Sequence, residues 1–221
     1  INSRNGLITT IAGGLKEKPD YALEGSIYMG GAVIQWLRDE MKLITTAAES
    51  EELAGKVEDT AGAYLVPSFT GLGAPYWQQD ARGTMVGITR GFNRFHMVRA
   101  ALEAISYQTM DVIRAMEADS GVTMTSLKAD GGASVNNFLM QFQSDIVGAE
   151  IICYRMAESP ALGAAYLAGL CTGFWKDQKE LADDAEVRKI YKPQMAEKDR
   201  QEKTEQWHRA VDTACCWAEN N

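Results

Sequence analysis

Residues 126–146 have the sequence SLKADGGASVNNFLMQFQSDI and combine three local patterns in one short stretch. Residues 126–129 are predicted to form a strand, and residues 130–132 (Asp-Gly-Gly) a turn. A helix with Ser134 as its N-cap is predicted to follow. Its apolar positions recur at helical spacing: Val135, Leu139, Phe142 and Ile146. A strand that enters a helix through a glycine turn is a ligand-binding unit of α/β proteins, so this stretch indicates the fold class.

The segments on both sides alternate between predicted strands and helices. Upstream, the local patterns predict paired strands at 7–12 and 21–29, helices at 30–43, 46–57 and 95–118, and strands at 63–69 and 83–89. Downstream, they predict a strand at 150–154, an Ala/Gly-rich helix at 160–172, a charged linker near 176–186 and a helix from about residue 197. This order predicts an α/β domain in which helices flank a mixed sheet.

Two of these helices have faces that predict how they pack. Small residues in 160–172 permit close packing against neighbouring elements, which explains them without a chemical role. The second half of the terminal helix has four apolar residues on one side: Trp207, Val211, Ala214 and Trp217. This pattern predicts that the second half docks on the body of the domain.

Length, composition and charge exclude several classes of protein. A chain of 221 residues is long enough for one large domain or two small ones. With 46% hydrophobic and 24% charged residues, it is neither disordered nor a disulfide scaffold by composition. A formal net charge of −8 argues against nucleic acid as a partner. The sequence has neither a long apolar run nor a leader-like segment, so we expect a cytoplasmic protein without a membrane contact.

Cysteines and histidines give no indication of a metal site. The four cysteines lack the two-residue spacing of zinc ligands and stand at Cys153, Cys171, Cys215 and Cys216. His96 and His208 both fall in predicted helices, where we expect each ring to be solvated or bonded to a partner. Three carboxylates could act as general bases, but surface or ion-pair roles are the expectation for all of them: Asp80, Glu103 and Asp111. The residues alone therefore predict neither a catalytic residue nor a metal ligand.

The first candidate binding position combines Gly31 and Gln35. They lie four residues apart on one helical face, roughly opposite the apolar side. A glycine in a first helical turn lets a ligand approach backbone N–H groups, and the glutamine amide could hydrogen-bond that ligand. The alternative is that Gly30 and Gly31 only turn the chain while Gln35 is solvated. The residues alone favour this alternative.

The second candidate position combines Gly132 and Asn136. The glycine turn leaves bare backbone at the carboxyl end of a strand, and an asparagine amide offers both a donor and an acceptor, as an adenine edge does. The pattern matches neither a phosphate-binding P-loop nor a dinucleotide fingerprint. The alternative is a tight strand-to-helix turn with Ser134 and Asn136 as capping residues. Both interpretations remain open at this point.

One long segment carries a family resemblance. This segment resembles the second signature of the FGGY carbohydrate kinases and matches it at every specified position. The matching parts are residues 83–88 and 96–103, with a spacer of seven residues between them. Within that family, residues 64–77, 141–145 and 162–169 resemble the glycerol kinase branch. The likeness extends from about Asn5 to Trp217.

The resemblance implies an actin-like ATPase (ribonuclease H-like) fold in two domains, of which residues 1–221 are the C-terminal, nucleotide-binding one. The N-terminal substrate domain, with the glycerol-binding residues and the general base, would then be absent, and the chain alone inactive. The resemblance also implies that ATP or ADP contacts Gly31, Gln35, Gly132 and Asn136. Gly132 and Asn136 would hold the adenosine, with Gly31 and Gln35 beside the ribose or phosphates.

Further partners follow from the same resemblance. ATP and glycerol are the expected substrates of the intact enzyme, Mg²⁺ is expected to bind mainly through the nucleotide and the absent half, and a homo-oligomer is expected. Two alternatives remain: a domain of another FGGY sugar kinase, or a non-catalytic nucleotide-binding module of the actin-like class.

Overall fold

The structure is a computed structural model that describes residues 2–13, 19–155, 159–183 and 186–219. Its first element is an antiparallel hairpin of strands β1 (Ile8–Gly13) and β2 (Asp20–Glu24), as the sequence predicts. A second antiparallel pair joins β3 (Tyr64–Val66) to β4 (Thr84–Val86). Strands β2, β3 and β4 are shorter than the β-forming runs of the sequence, whereas β1 has the predicted length.

A three-stranded sheet contains the glycine turn. Strand β5 (Ser126–Ala129) pairs in parallel with β6 (Glu150–Tyr154), and β6 pairs antiparallel with β7 (Val187–Tyr191). The predicted mixed sheet is therefore confirmed, although it includes neither of the two hairpins. Strand β7 was not predicted. Only its last residue, Tyr191, is buried, so its side-chain pattern does not look like that of a core strand.

The long predicted helix is α3 (Arg94–Ser120), and it forms the centre of the core. The short helices α1 (Ala32–Asp39) and α2 (Glu49–Ala54) pack on it, together with α4 (Asn137–Val147). Asn93 caps the N-terminus of α3 by accepting the N–H of Phe95, while the ring of His96 accepts the N–H of Asn93. Of the two environments expected for His96, solvated or bonded to a partner, the structure has the second, since this histidine completes a capping box.

The C-terminal third contains three further helices: α5 (Ser159–Thr172), α6 (Gln178–Asp183) and α7 (Glu197–Glu219). Helix α6 lies in the segment predicted to be a linker, so that prediction is wrong. The carboxylate of Asp177 accepts the backbone N–H groups of Lys179 and Glu180, and Glu180 in turn accepts the N–H of Lys176. These bonds start a short, largely polar helix in which Leu181 is buried.

Packing of α5 differs from the prediction. Its small side chains at Ala161, Ala164, Ala165 and Ala168 are exposed, so they do not form a close helix contact in the described structure. The close approach occurs at Gly169 instead, where an added Cβ would lie 2.1 Å from the ring of Trp175. An indole ring therefore occupies the space that a larger side chain at position 169 would need.

Docking of α7 is confirmed with one correction. Trp207, Val211 and Ala214 are buried as predicted, but Trp217 is 51% exposed. Ala218 takes the buried position at that end of the helix, with an exposure of 8%. The buried stripe thus continues at a spacing of four residues from Ala214, and the tryptophan lies beside it.

Candidate functional site

A cavity of about 410 Å³ lies between α1, α2, α3 and α4. All four residues predicted from the sequence line it: Gly31, Gln35, Gly132 and Asn136. Two local patterns that lie about 100 residues apart in the chain therefore contribute to one space. Its volume falls within the range of about 300 to 1,000 Å³ that is typical of small-molecule sites.

The walls of the cavity are mainly apolar. Ile34 contributes from α1, Leu102 and Ile105 from α3, and Leu139 from α4. Ile34, Leu102 and Leu139 belong to the buried core, so their positions are fixed by packing. A flat apolar group is well suited to such a space, and polar groups at the rim would orient it.

Two of the lining glycines leave the backbone bare. A Cβ added at Gly31 or at Gly132 would meet no atom within 4 Å, because the space beside each is open. Gly131, in contrast, has a φ of +79°, a conformation that side-chain-bearing residues rarely adopt. Gly131 therefore makes the turn at the end of β5, and Gly132 lies at the surface of the cavity.

The cap of α4 differs from the prediction. Asn136, not Ser134, is the N-cap, and its Oδ1 accepts the backbone N–H of Leu139 at 2.9 Å. A short 3₁₀ turn (Gly132–Val135) comes first, and within it the hydroxyl of Ser134 donates to the carbonyl of Gly131 at 2.8 Å. This turn shifts the start of the helix by two residues. The capping role that the sequence left open for Asn136 is thus present.

The other end of the Asn136 amide is also bonded. Its Nδ2 donates to the hydroxyl oxygen of Ser50 at 3.2 Å, and that hydroxyl donates to the carbonyl of Ala47 at 2.6 Å. Ser50 is buried, with an exposure of 1%. Sequence reasoning missed Ser50 because the contact joins residues 86 positions apart.

A second bond network holds the start of α4 beside the cavity. The two carboxylate oxygens of Glu51 accept the backbone N–H and the side-chain Nδ2 of Asn137, each at 2.9 Å. The Oδ1 of Asn137 accepts from Lys189 and from the hydroxyl of Tyr191 on β7. Helix α2 thus fixes the first turn of α4 through two consecutive residues.

The three carboxylates considered as bases do not line the cavity. Glu103 is buried and pairs with Arg99 at 2.8 Å, and burial raises the pKa of its carboxyl group. Asp111 is also buried and accepts from Tyr76, Trp207 and the ring of His208. Asp80 is exposed. The preference for ion-pair or surface roles agrees with these positions, and His208 is bonded to a partner as predicted.

Neither a metal site nor a membrane helix is found in the part of the chain that the structure describes. Its residues form no group of three or more His, Cys, Asp or Glu side chains that could hold a metal ion. No helix among them has both the length and the apolar character needed to cross a bilayer.

Comparison with known proteins gives a consistent result. The model of the FGGY family of carbohydrate kinases, C-terminal domain, matches residues 1–171. A glycerol kinase of Desulfitobacterium hafniense is 60% identical over 209 residues, which are 95% of this chain and 42% of that protein. A glycerol kinase of Clostridium botulinum is 53% identical over 219 residues, 99% of this chain and 44% of that protein. The chain thus spans less than half the length of these curated relatives.

Solved structures agree in fold. A crystal structure of Plasmodium falciparum glycerol kinase with ADP superposes with a TM-score of 0.87 at 38% identity, covering 96% of this chain and 42% of that one. A xylulose kinase of Lactobacillus acidophilus superposes with a TM-score of 0.75 at 24% identity, covering 94% and 41%, which bears on the fold alone. The predicted α/β class of the actin-like ATPases is therefore confirmed.

Proposed function

Because the chain belongs to the FGGY family of carbohydrate kinases, we propose that residues 1–221 are the C-terminal, nucleotide-binding domain of a glycerol kinase. The intact enzyme would transfer the γ-phosphoryl group of ATP to glycerol and release sn-glycerol 3-phosphate. The observation that carries this proposal is the meeting of Gly31, Gln35, Gly132 and Asn136 in one apolar cavity. Glycerol kinases with 53–60% identity across almost the whole chain support the substrate.

The cavity suggests how a nucleotide would lie. The adenine ring would fill the apolar space, with Asn136 at its polar edge and the bare backbone of Gly132 against the adenosine. The ribose or phosphates would pass Gly31 and Gln35 at the start of α1, where backbone N–H groups favour negative charge. This chain would thus bind and orient the nucleotide, and its buried walls would exclude water from the base.

The binding of Mg²⁺ and of glycerol is proposed to depend mainly on parts of the enzyme outside this chain. On the family resemblance, we propose that Mg²⁺ binds mainly through the nucleotide phosphates and residues outside this chain. The glycerol-binding residues and the base that accepts its hydroxyl proton are also proposed to lie in the remainder of the enzyme. We further propose a cytoplasmic homo-oligomer, on the family resemblance alone.

Two measurements test this proposal. Calorimetry of the 221-residue chain with ADP should show weak binding, because the phosphates lack their second set of contacts. A coupled assay should show ATP-dependent phosphorylation of glycerol by the full-length polypeptide and none by the 221 residues alone. Turnover by the 221 residues alone would contradict the proposal that the glycerol-binding residues and the base lie outside this chain. A full-length protein that phosphorylates a sugar in preference to glycerol would indicate another FGGY sugar kinase. A full-length protein without kinase activity would indicate a non-catalytic nucleotide-binding module.

A further inference from the structure

The side-chain amide of Asn136 is held in one orientation by bonds at both of its ends. Oδ1 accepts the N–H of Leu139 at 2.9 Å, and Nδ2 donates to the hydroxyl of Ser50 at 3.2 Å. The hydrogen of that hydroxyl is committed to the carbonyl of Ala47, at 2.6 Å. Ser50 therefore acts as an acceptor toward Asn136.

A flipped amide would lose both bonds. Rotation by a half turn would place Nδ2 against the N–H of Leu139, so two donors would face each other. It would also place Oδ1 against the oxygen of Ser50, whose hydrogen already points to Ala47. Opposed donors or opposed acceptors at a buried position leave polar groups unsatisfied, which is costly. Ser50 is almost fully buried, so water does not compensate there.

The fixed amide keeps one free acceptor position and one free donor. An amide oxygen has two lone pairs and an amide nitrogen has two hydrogens, and the bonds to Leu139 and Ser50 use one of each. Asn136 lines the cavity, and we assign the remaining donor and acceptor to a base edge there. In this orientation Oδ1 can accept from the 6-amino group of adenine while Nδ2 donates to ring nitrogen N1, which is an acceptor in adenine and carries a hydrogen in 6-oxopurines. A 6-oxo group would bring an acceptor against Oδ1.

We propose that Ser50 is a positioning residue that locks the Asn136 amide in the orientation selecting 6-aminopurine over 6-oxopurine nucleotides. This inference rests on the proposed function, because it assigns the base selectivity of the same cavity. Ser50 itself also lines the cavity, but the proposed selectivity does not require its hydroxyl to contact the nucleotide. It acts through Asn136, since the bond it accepts disfavours the flipped amide that would fit hypoxanthine or guanine.

The test compares ATP with ITP as phosphoryl donors for the full-length polypeptide. In the Ser50→Ala variant the ratio of kcat/KM for ATP to that for ITP is expected to fall by about fivefold, the equivalent of one hydrogen bond. Most of the change should appear in KM, because the amide contacts the base and not the reacting phosphate. Ser50→Thr keeps the hydroxyl and should keep the ratio of the wild-type enzyme.

Ser106→Ala is the matched control. Ser106 is also a fully buried serine, but its hydroxyl has no hydrogen-bond partner among the described residues and it does not line the cavity. Its removal should leave the ratio unchanged, which separates selectivity from a general effect on folding. An active Ser50→Ala enzyme with the wild-type ratio of kcat/KM for ATP to that for ITP would overturn the proposed role of Ser50 and leave the proposed function intact. A polypeptide that phosphorylates glycerol with neither nucleotide would overturn the proposed function and this inference together.

Discussion

The carboxylate of Asp111 in α3 accepts the indole N–H of Trp207 in α7 at 2.7 Å. The same carboxylate accepts the hydroxyl of Tyr76 at 2.8 Å and lies 2.8 Å from Nε2 of His208. Asp111 and Trp207 are both buried, so this contact joins the terminal helix to the central one inside the core. The loop between β3 and β4 is attached at the same point through Tyr76.

Removal of this carboxylate is expected to destabilise the domain strongly. Asp111→Ala leaves the buried N–H of Trp207 and the hydroxyl of Tyr76 without an acceptor, which should lower the free energy of unfolding by about 3 kcal/mol or more. Urea unfolding measures the change. The control is Asp212→Ala, which removes an exposed carboxylate from α7. Equal stability of the two variants would contradict a structural role for Asp111.

Alkaline pH is expected to weaken the fold through three tyrosines, of which Tyr107 is buried and Tyr64 and Tyr76 are half-buried. Burial, reinforced by the charge of Glu103, raises the pKa of Tyr64 to about 12, and burial also raises the pKa of Tyr76 and of Tyr107. The unfolded chain loses these protons at an ordinary pKa of about 10, so the folded state binds more protons above that pH. The free energy of unfolding should therefore fall as the pH rises above about 10.

Urea unfolding at a series of pH values measures this effect. Tyr64→Phe removes one of the three phenols, so its stability should decline less steeply than that of the wild-type protein above pH 10. Parallel curves for the two proteins would show that Tyr64 does not contribute. Absorbance of the tyrosinate form gives an independent record, because these phenols should ionise at a higher pH in the folded protein than in the unfolded chain.

Two adjacent glycines are expected to respond differently to alanine. Gly131→Ala forces a side chain into a backbone conformation, with φ +79° and ψ 174°, that is essentially restricted to glycine, and should cost about 1 to 3 kcal/mol of stability. Gly132→Ala adds a methyl group beside the open cavity, so the stability should change little while ADP binding weakens. Thermal unfolding and calorimetry with ADP separate the two effects. Unchanged ADP affinity in Gly132→Ala would remove this glycine from the proposed site.

Asn136 has a capping role and a proposed binding role, and two variants separate them. Asn136→Leu loses both roles, and the lost cap alone should cost about 1 kcal/mol of stability. Asn136→Asp keeps an acceptor for the N–H of Leu139 but loses the amide donor. It should keep the cap of α4 but lose the bond to Ser50, whose oxygen would face the new carboxylate, so the stability should fall through that contact and not through the cap. It should also raise the KM for ATP by about fivefold or more in the full-length enzyme. A normal KM in Asn136→Asp would argue against a donor role toward the base.

Local sequence patterns predicted those elements whose cause is itself local. The hairpin of β1 and β2, the helix α3 and the turn after β5 each follow from a spacing or a turn residue within a few positions. Two residues of the family signature have structural roles that also depend on neighbours a few positions away. His96 completes the cap of α3, and Glu103 forms the buried ion pair with Arg99.

Contacts between distant segments could not be predicted from these patterns. Gly31, Gln35, Gly132 and Asn136 carry local signals, but their meeting in one cavity depends on how α1 and α4 pack on α3. Ser50 and Glu51 carry no signal at all, since they belong to a short polar helix that resembles a solvated one. Strand β7 was missed for a related reason, because it covers the edge of β6 with mostly exposed side chains.

The size of α2 has a consequence for how the cavity opens. Helix α2 has six residues, whereas isolated helices shorter than about 12 residues are marginal in water. Its amide hydrogens should therefore exchange with solvent through local unfolding, well before those of α3. Each opening would release Asn136 and Asn137 and remove one wall of the cavity. A bound nucleotide would slow this exchange, so part of its binding free energy would be used to keep α2 folded.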